Sequence, residues 1–208
     1  MIRTSIACVF LVLIGCGGAQ DAGEGDDPID PARLYPLKDG NVWTYDVDTG
    51  TDLSALGISR VVEVQGPRVT VENNGSSQDA IVYELRPEGI YRVASGTWLL
   101  KRPIEVGATW PATGGREARV QSISEHVEVG AGTFDGCVSV VEAEAGEAAP
   151  VTAGPSGTGQ VVETVYCPDI GPVIVDTQIS TELSGQTVHV RGELRAHMLG
   201  EEPLGEDE

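Results

Sequence analysis

Val173-Ile-Val-Asp-Thr-Gln-Ile-Ser-Thr-Glu-Leu-Ser-Gly-Gln-Thr-Val-His-Val-Arg-Gly-Glu-Leu-Arg-Ala-His-Met198 alternates apolar and polar side chains on either side of Ser184-Gly185. Period-two alternation flanking a turn dipeptide is the pattern of an antiparallel hairpin with one buried face. A two-residue turn at Ser184-Gly185 pairs residues whose numbers total 369, setting Ile179 against Val190, Val175 against Leu194 and Val173 against Ala196. The opposite face then sets Asp176 against Glu193, a repulsion that Arg191 and Arg195 offset from the diagonals. A slip of one residue would turn the apolar set to solvent, so this pattern fixes the buried face.

The same alternation recurs over 42–47, 58–64, 68–72, 81–85, 90–94, 97–101, 118–129, 137–144 and 161–166, with the final pair at 173–183 and 187–198. Short connections such as Gln65-Gly66-Pro67 and Arg86-Pro87-Glu88-Gly89 join antiparallel neighbours. Helical periodicity is nearly absent. The expected fold is all-β, a single curved antiparallel sheet or partial β-barrel of about eleven strands, with one face wet and an apolar groove inside the curve.

The first residues follow an export plan. Arg3 is followed by an unbroken apolar run, 6–14, which is well short of the ~20 residues that span a bilayer. Leu13-Ile14-Gly15-Cys16 resembles the lipobox of bacterial lipoproteins, which implies cleavage before Cys16 and acylation of its thiol and new amino group. Two or three acyl chains hold a protein on a membrane stably where one does so only marginally. Gly17 and Gly18 follow in place of an inner-membrane retention aspartate, so the expected location is the cell envelope, lipid-anchored at the outer membrane. The expected organisation is a signal peptide (1–15), a lipidated cysteine with a flexible acidic tether (16–32), a β domain (33–199) and a disordered acidic tail (200–208).

Charge follows that partition. The net charge is −19, and five acids in the tether and five in the tail account for ten negative charges without a basic residue between them. The arginines of the body are dispersed, and Lys38 and Lys101 are its lysines. Nucleic-acid binding needs clustered cations and is excluded as a function class. Cys8 leaves with the signal and Cys16 takes lipid, so Cys137 and Cys167 remain as a pair. In an oxidising compartment their disulfide would add roughly 3 to 4 kcal/mol of stability. A metal site or a redox pair would need more ligands or closer spacing.

Other chemistry finds little support in the sequence. His189 and His197 share the parity of Arg191, Glu193 and Arg195, which places both on the polar face of the last strand, about 27 Å apart. His126 lies in an acidic stretch without an evident second metal ligand. Asp46, Asp48 and Asp52 lack the glycine and glutamate spacing of a calcium loop. Gly154-Pro-Ser-Gly157-Thr-Gly159 lacks the lysine of a phosphate loop. Asn74-Gly75-Ser76 matches a glycosylation sequon, which has little meaning in a bacterial lipoprotein. No serine sits in a nucleophile-elbow sequence. No catalytic residue, metal or cofactor is assigned.

Tyr35-Pro36-Leu37, Gly40-Asn41, Trp43 and Tyr45 resemble the opening pattern of a broad group of uncharacterised bacterial lipoproteins. Pro103 with Gly107 and Trp110, Gly132-Thr133-Phe134 with Cys137, and Tyr166 with Pro168, Gly171 and Val173 fit the same group, over about residues 34 to 183. The resemblance implies a domain similar in outline to the half-barrels of lipoprotein carriers and related envelope proteins, and it implies no particular activity. Cys167 departs from the small or aromatic residue usual before the proline, so the disulfide is not part of the resemblance. Trp43, Tyr45 and Trp110 are expected as large core residues, or as a groove-facing aromatic cluster.

The function expected is that of a noncatalytic envelope lipoprotein whose curved sheet holds an apolar ligand or an envelope partner. The alternatives are a structural or interaction lipoprotein without a ligand cavity, and an enzyme whose site gathers from distant strands.

Overall fold

The computed structural model describes residues 28–50, 54–144, 159–180 and 187–200. Cys16 and its lipobox, the glycine-rich stretch at 154–158, Asp52 and the Ser184-Gly185 turn lie outside the described residues. The chain enters through a short helical turn, α1 (Pro31–Leu34), capped by Asp30, whose carboxylate accepts from the Ala32 amide. Twelve strands follow: β1 (Val42–Asp48), β2 (Ser54–Gln65), β3 (Arg68–Asn73), β4 (Ser76–Arg86), β5 (Gly89–Arg92), β6 (Thr97–Lys101), β7 (Thr109–Pro111), β8 (Glu117–Val129), β9 (Gly132–Ala143), β10 (Gly159–Cys167), β11 (Gly171–Ser180) and β12 (Thr187–Met198).

All twelve form one antiparallel sheet in the order β6-β5-β4-β3-β2-β1-β12-β11-β10-β9-β8-β7. Two six-strand meanders therefore meet where β1 pairs β12. The sheet curls until its edge strands β6 and β7 approach each other, giving a nearly closed barrel. Bulges in the β1–β12, β2–β3, β5–β6, β8–β9 and β10–β11 ladders supply the extra twist that such curling needs.

The last hairpin differs in register from the sequence reading. Asp176 faces Arg191, Val175 faces Gly192 and Ile179 faces Val188, so paired numbers total 367. The two-residue shift keeps every side chain on its expected face and replaces the Asp176–Glu193 repulsion with an Asp176–Arg191 ion pair at 2.9 Å. A bulge at Arg195 in the β1–β12 ladder then reverses parity toward the end of β12. Ala196 lies opposite Thr44 on the outer face and is exposed, not paired with Val173 in the core. His197 lies opposite Trp43, with its ring 6.4 Å from that of Phe134. The expectation that both His189 and His197 occupy the polar face holds for His189 alone.

Packing begins earlier in the chain than the tether boundary at residue 32 suggests. Ile29 packs on the core, and Asp30 pairs with Arg102 at 2.8 Å. At the other end, the Gly200 amide donates to the Asn41 side chain at 2.7 Å. Strand β9 also departs from a one-wet-face pattern, since Cys137 to Ala143 are buried on both sides. Val141, Ala143 and Val161 form a small second cluster on its outer face. Cys137 and Cys167 are joined by a disulfide between the β9 and β10 neighbours.

The main core lies on the concave face near α1, where Leu34, Trp43, Leu100, Val69 and Leu194 are fully buried. Trp43 Nε1 donates to the Ile170 carbonyl at 2.7 Å, tying β1 to the β10–β11 turn. Gly171 makes this approach feasible. Its φ is +110°, and a Cβ there would lie 2.8 Å from Trp43 Nε1. Gly171→Ala is expected to lower stability by about 2 to 4 kcal/mol, from backbone strain plus collision with a locked indole. Urea denaturation measures it, and a change within about 0.5 kcal/mol, the range of inert surface substitutions, would show that the wall yields.

Candidate functional site

Strand alternation sends Tyr45, Ser59, Asn73, Thr164 and Val175 to the concave face, each from a different strand. Residue size falls along that face away from α1. On β1 the inward sequence is Trp43, Tyr45, Val47; on β2 it is Val61, Ser59, Gly57; on β12 it is Leu194, Gly192, Val190. Large side chains fill one end, small ones leave a cavity at the other, and a second cavity adjoins it against the aromatic residues beside the filled end. One, of about 240 Å³, is walled by Val47, Gly57, Thr177, Val190 and Gly192. Another, of about 270 Å³, lies against Tyr35, Tyr83, Tyr166, Arg92, Arg116 and Glu142. Tyr45, Ser59, Asn73 and Val175 line both, so the two are compartments of one groove.

The inner compartment is polar at its far wall. Glu142, buried on β9, receives Arg92 Nη2 on Oε1 at 2.6 Å and Arg116 Nη2 on Oε2 at 3.4 Å. Arg116 also bonds Gln160, while its Nε is buried without a partner. Arg92 bonds Thr113 at 3.4 Å, and Thr113 bonds Thr97 and Ser95. Burial opposes the charge on Arg92, but the Glu142 carboxylate outweighs it and raises the guanidinium above its ordinary range. Burial also pushes the phenols of Tyr35, Tyr45, Tyr83 and Tyr166 above the usual tyrosine range. They are therefore neutral groups that can both donate and accept hydrogen bonds.

The three aromatic residues expected from sequence separate in the structure. Trp43 and Trp110 are core residues. Tyr45 is a groove wall, with its hydroxyl donating to the Pro172 carbonyl at 2.9 Å. Tyr35, Tyr83 and Tyr166 were not assigned to the groove by sequence. Tyr35 packs against Trp43 at 5.1 Å, Tyr83 at 5.9 Å and Tyr166 at 6.4 Å between ring centroids. The alternation of 81–85 carried the signal for Tyr83, since Ile81 and Leu85 share its parity. Arg92 and Glu142 carried none, because a charged residue inside a strand reads as solvent-facing.

The remaining polar candidates lie elsewhere. His126 is exposed and pairs with Asp135 at 2.5 Å, a hydrogen bond that raises the imidazole pKa. His189 bonds Asp176 at 2.7 Å on the outer face. Asp46 pairs with Arg195 at 3.1 Å, and Asp48 accepts from the Gly50 amide at 2.8 Å, closing a turn. Asn74 and Gly75 form the β3–β4 turn with positive φ values. A third cavity, of about 300 Å³, lies between Glu125, His126 and Glu128 of β8 and Glu163 and Arg191 of the sheet. Among the described residues, no three His, Cys, Asp or Glu side chains gather as metal ligands.

Neither models of known protein families nor curated proteins match this sequence. Two solved structures align with this chain over most of its length. A Bacteroides fragilis protein described as a "putative exported protein with YmcC-like fold" aligns at 12% identity and a TM-score of 0.48, over 79% of this chain and 98% of its own. A "putative lipoprotein" from Parabacteroides distasonis aligns at 13% identity and a TM-score of 0.41, over 82% of this chain and 100% of its own.

Glu142 is shared by two buried guanidiniums, so its neutralisation leaves both without an anionic partner. Glu142→Gln is expected to cost about 3 to 5 kcal/mol. The half-exposed pair partner Glu117, 3.4 Å from Arg119, should cost no more than about 1 kcal/mol when changed to glutamine. Equal denaturation midpoints for the two variants would refute the buried-network account.

Proposed function

We propose that this protein is a noncatalytic lipoprotein, anchored to the envelope membrane through acylated Cys16, that holds an apolar ligand in its curved β groove. The two-compartment groove carries the reading. Its apolar compartment adjoins a polar one, the arrangement expected of a binding site in which apolar walls provide affinity and a few polar groups fix orientation. The lipobox supports the anchor, and Gly17 and Gly18 support outer-membrane delivery.

The test compares intact protein with Cys16→Ser recovered from the same cells. Wild type should fractionate with membranes and release a bound apolar species under native mass spectrometry, and Cys16→Ser should lose the membrane fraction. Unchanged fractionation would refute the anchor. An empty groove in protein released gently from membranes, and again after incubation with envelope extract, would refute the ligand.

A second reading, an interaction lipoprotein, rests on Leu56, Ile58 and Val62, which stand 57%, 40% and 38% exposed on the outer side of β2. Photo-crosslinking from position 58 in whole cells should then capture one defined protein. Failure to capture any would remove this reading.

A further inference from the structure

We infer that the groove's occupant is an amphiphile with a single negative charge, its head group at Arg116 in the inner compartment and its hydrocarbon chain along Tyr45, Val47, Val175 and Val190. This rests on the ligand-binding reading above and adds the chemical class of the ligand.

The argument begins with the charges. Among the described residues, Arg92, Arg116 and Glu142 are the side chains of fixed charge that line the inner compartment. Glu142 spends both oxygens on the two guanidiniums, so among the described residues one positive charge stays uncompensated at side chains only 18% and 14% exposed. Charge at such low exposure is costly unless paired and hydrogen-bonded. The surplus belongs to Arg116. Arg92 holds Glu142 at 2.6 Å and has further bonds to Thr113 and the Trp98 carbonyl. Arg116 reaches Glu142 only at 3.4 Å, its other bond goes to the neutral Gln160, and its Nε is buried with no acceptor. A guanidinium offers five donors, so this one can still receive an anion. A neutral ligand would leave the surplus charge in place, and a cationic one would double it.

The outer compartment fits a hydrocarbon chain. Most of the surface it presents is apolar, with Val47, Val175 and Val190 among its walls, and Val188 and Ile179, which face each other beyond Val190, stand 50% and 37% exposed on the same side of the sheet. A chain longer than the cavity can continue over them. The protein as a whole is strongly acidic, so attraction for an anion is local to this wall and owes nothing to net charge.

The test uses the full mature chain carrying Cys16→Ser and isothermal titration with probes of one tetradecyl length: myristate, myristoyl lysophosphatidylglycerol, tetradecanol and tetradecyltrimethylammonium. At least one anion should bind about tenfold or more tightly than the alcohol, with the ammonium weakest, which corresponds to ~1.4 kcal/mol or more from the head group. Binding by only one anion supports the inference and identifies the head as a carboxylate or a phosphodiester. Arg116→Gln should bring that anion to the alcohol's affinity, and Arg116→Lys should retain most of the preference, with circular dichroism verifying both folds. Equal binding of anion and alcohol, or a preference that survives Arg116→Gln, overturns the head-group assignment and leaves the apolar groove standing. Absence of binding by all four probes overturns the groove reading itself.

Discussion

The pairing of β1 with β12 is the constraint on which the other arrangements depend. Each meander of six strands is built from sequence neighbours, whereas this ladder joins the two ends of the folded body, with Val42 facing Met198 and Asp48 facing Arg191. Neither half has a covered concave face without it. The ladder also places Trp43 and Tyr45 where they reach the β10–β11 connection, through bonds to the Ile170 and Pro172 carbonyls. One strand thus fixes the floor and wall of the groove. Its pairings span most of the chain, so the loop-closure entropy falls on this contact and the hairpins form around it at lower cost.

At the opposite side the sheet faces the reverse problem, since β6 and β7 are edges. Unpaired edges invite association with other chains. Here they are short, and side chains bridge the gap: Thr97 of β6 bonds Thr113 just beyond β7, while Arg92 of β5 crosses to Glu142 of β9. The second bridge has a consequence for chemistry. It brings ionised groups to the inner wall of a sheet whose other concave residues are mainly aliphatic or aromatic, and so makes the groove amphipathic. Closure of the barrel and polarity of the site are one feature.

Alternation in the sequence revealed eleven of the twelve strands, because period two is visible wherever a strand and its flanking residues put two or more side chains on a buried face. Thr109–Pro111 is too short to show it. The register of the last hairpin was less legible, since a two-residue slip preserves the apolar face and is decided by cross-strand partners. Asp176 with Arg191 decides it. The bulge at Arg195 left no trace in composition, and it alone determines that His197 turns inward. For the site, aromatic residues were readable as large apolar surface, but their division into floor and wall depends on neighbours from other strands. Glu142, in a run of alanine and glutamate, looked like a solvated acid; only the long-range approach of Arg92 and Arg116 makes it central.

The taper of the concave face shows why the groove is more than an accident of curling. Trp43 and Leu194 at one end demonstrate that this sheet can accept large residues and fill its interior. At the other end Gly192 stands in mid-strand, with a φ that any residue adopts. A Cβ there would lie 3.8 Å from Tyr45 Cβ and from the Val175 carbonyl, an ordinary contact. Alanine would fit without strain and would stabilise the strand by roughly 0.5 to 1 kcal/mol through lower backbone entropy. Neither turn geometry nor close packing requires glycine at this position. What glycine does there is hold the wall back from Tyr45 and Val175, two of the four residues that the apolar compartment shares with the polar one.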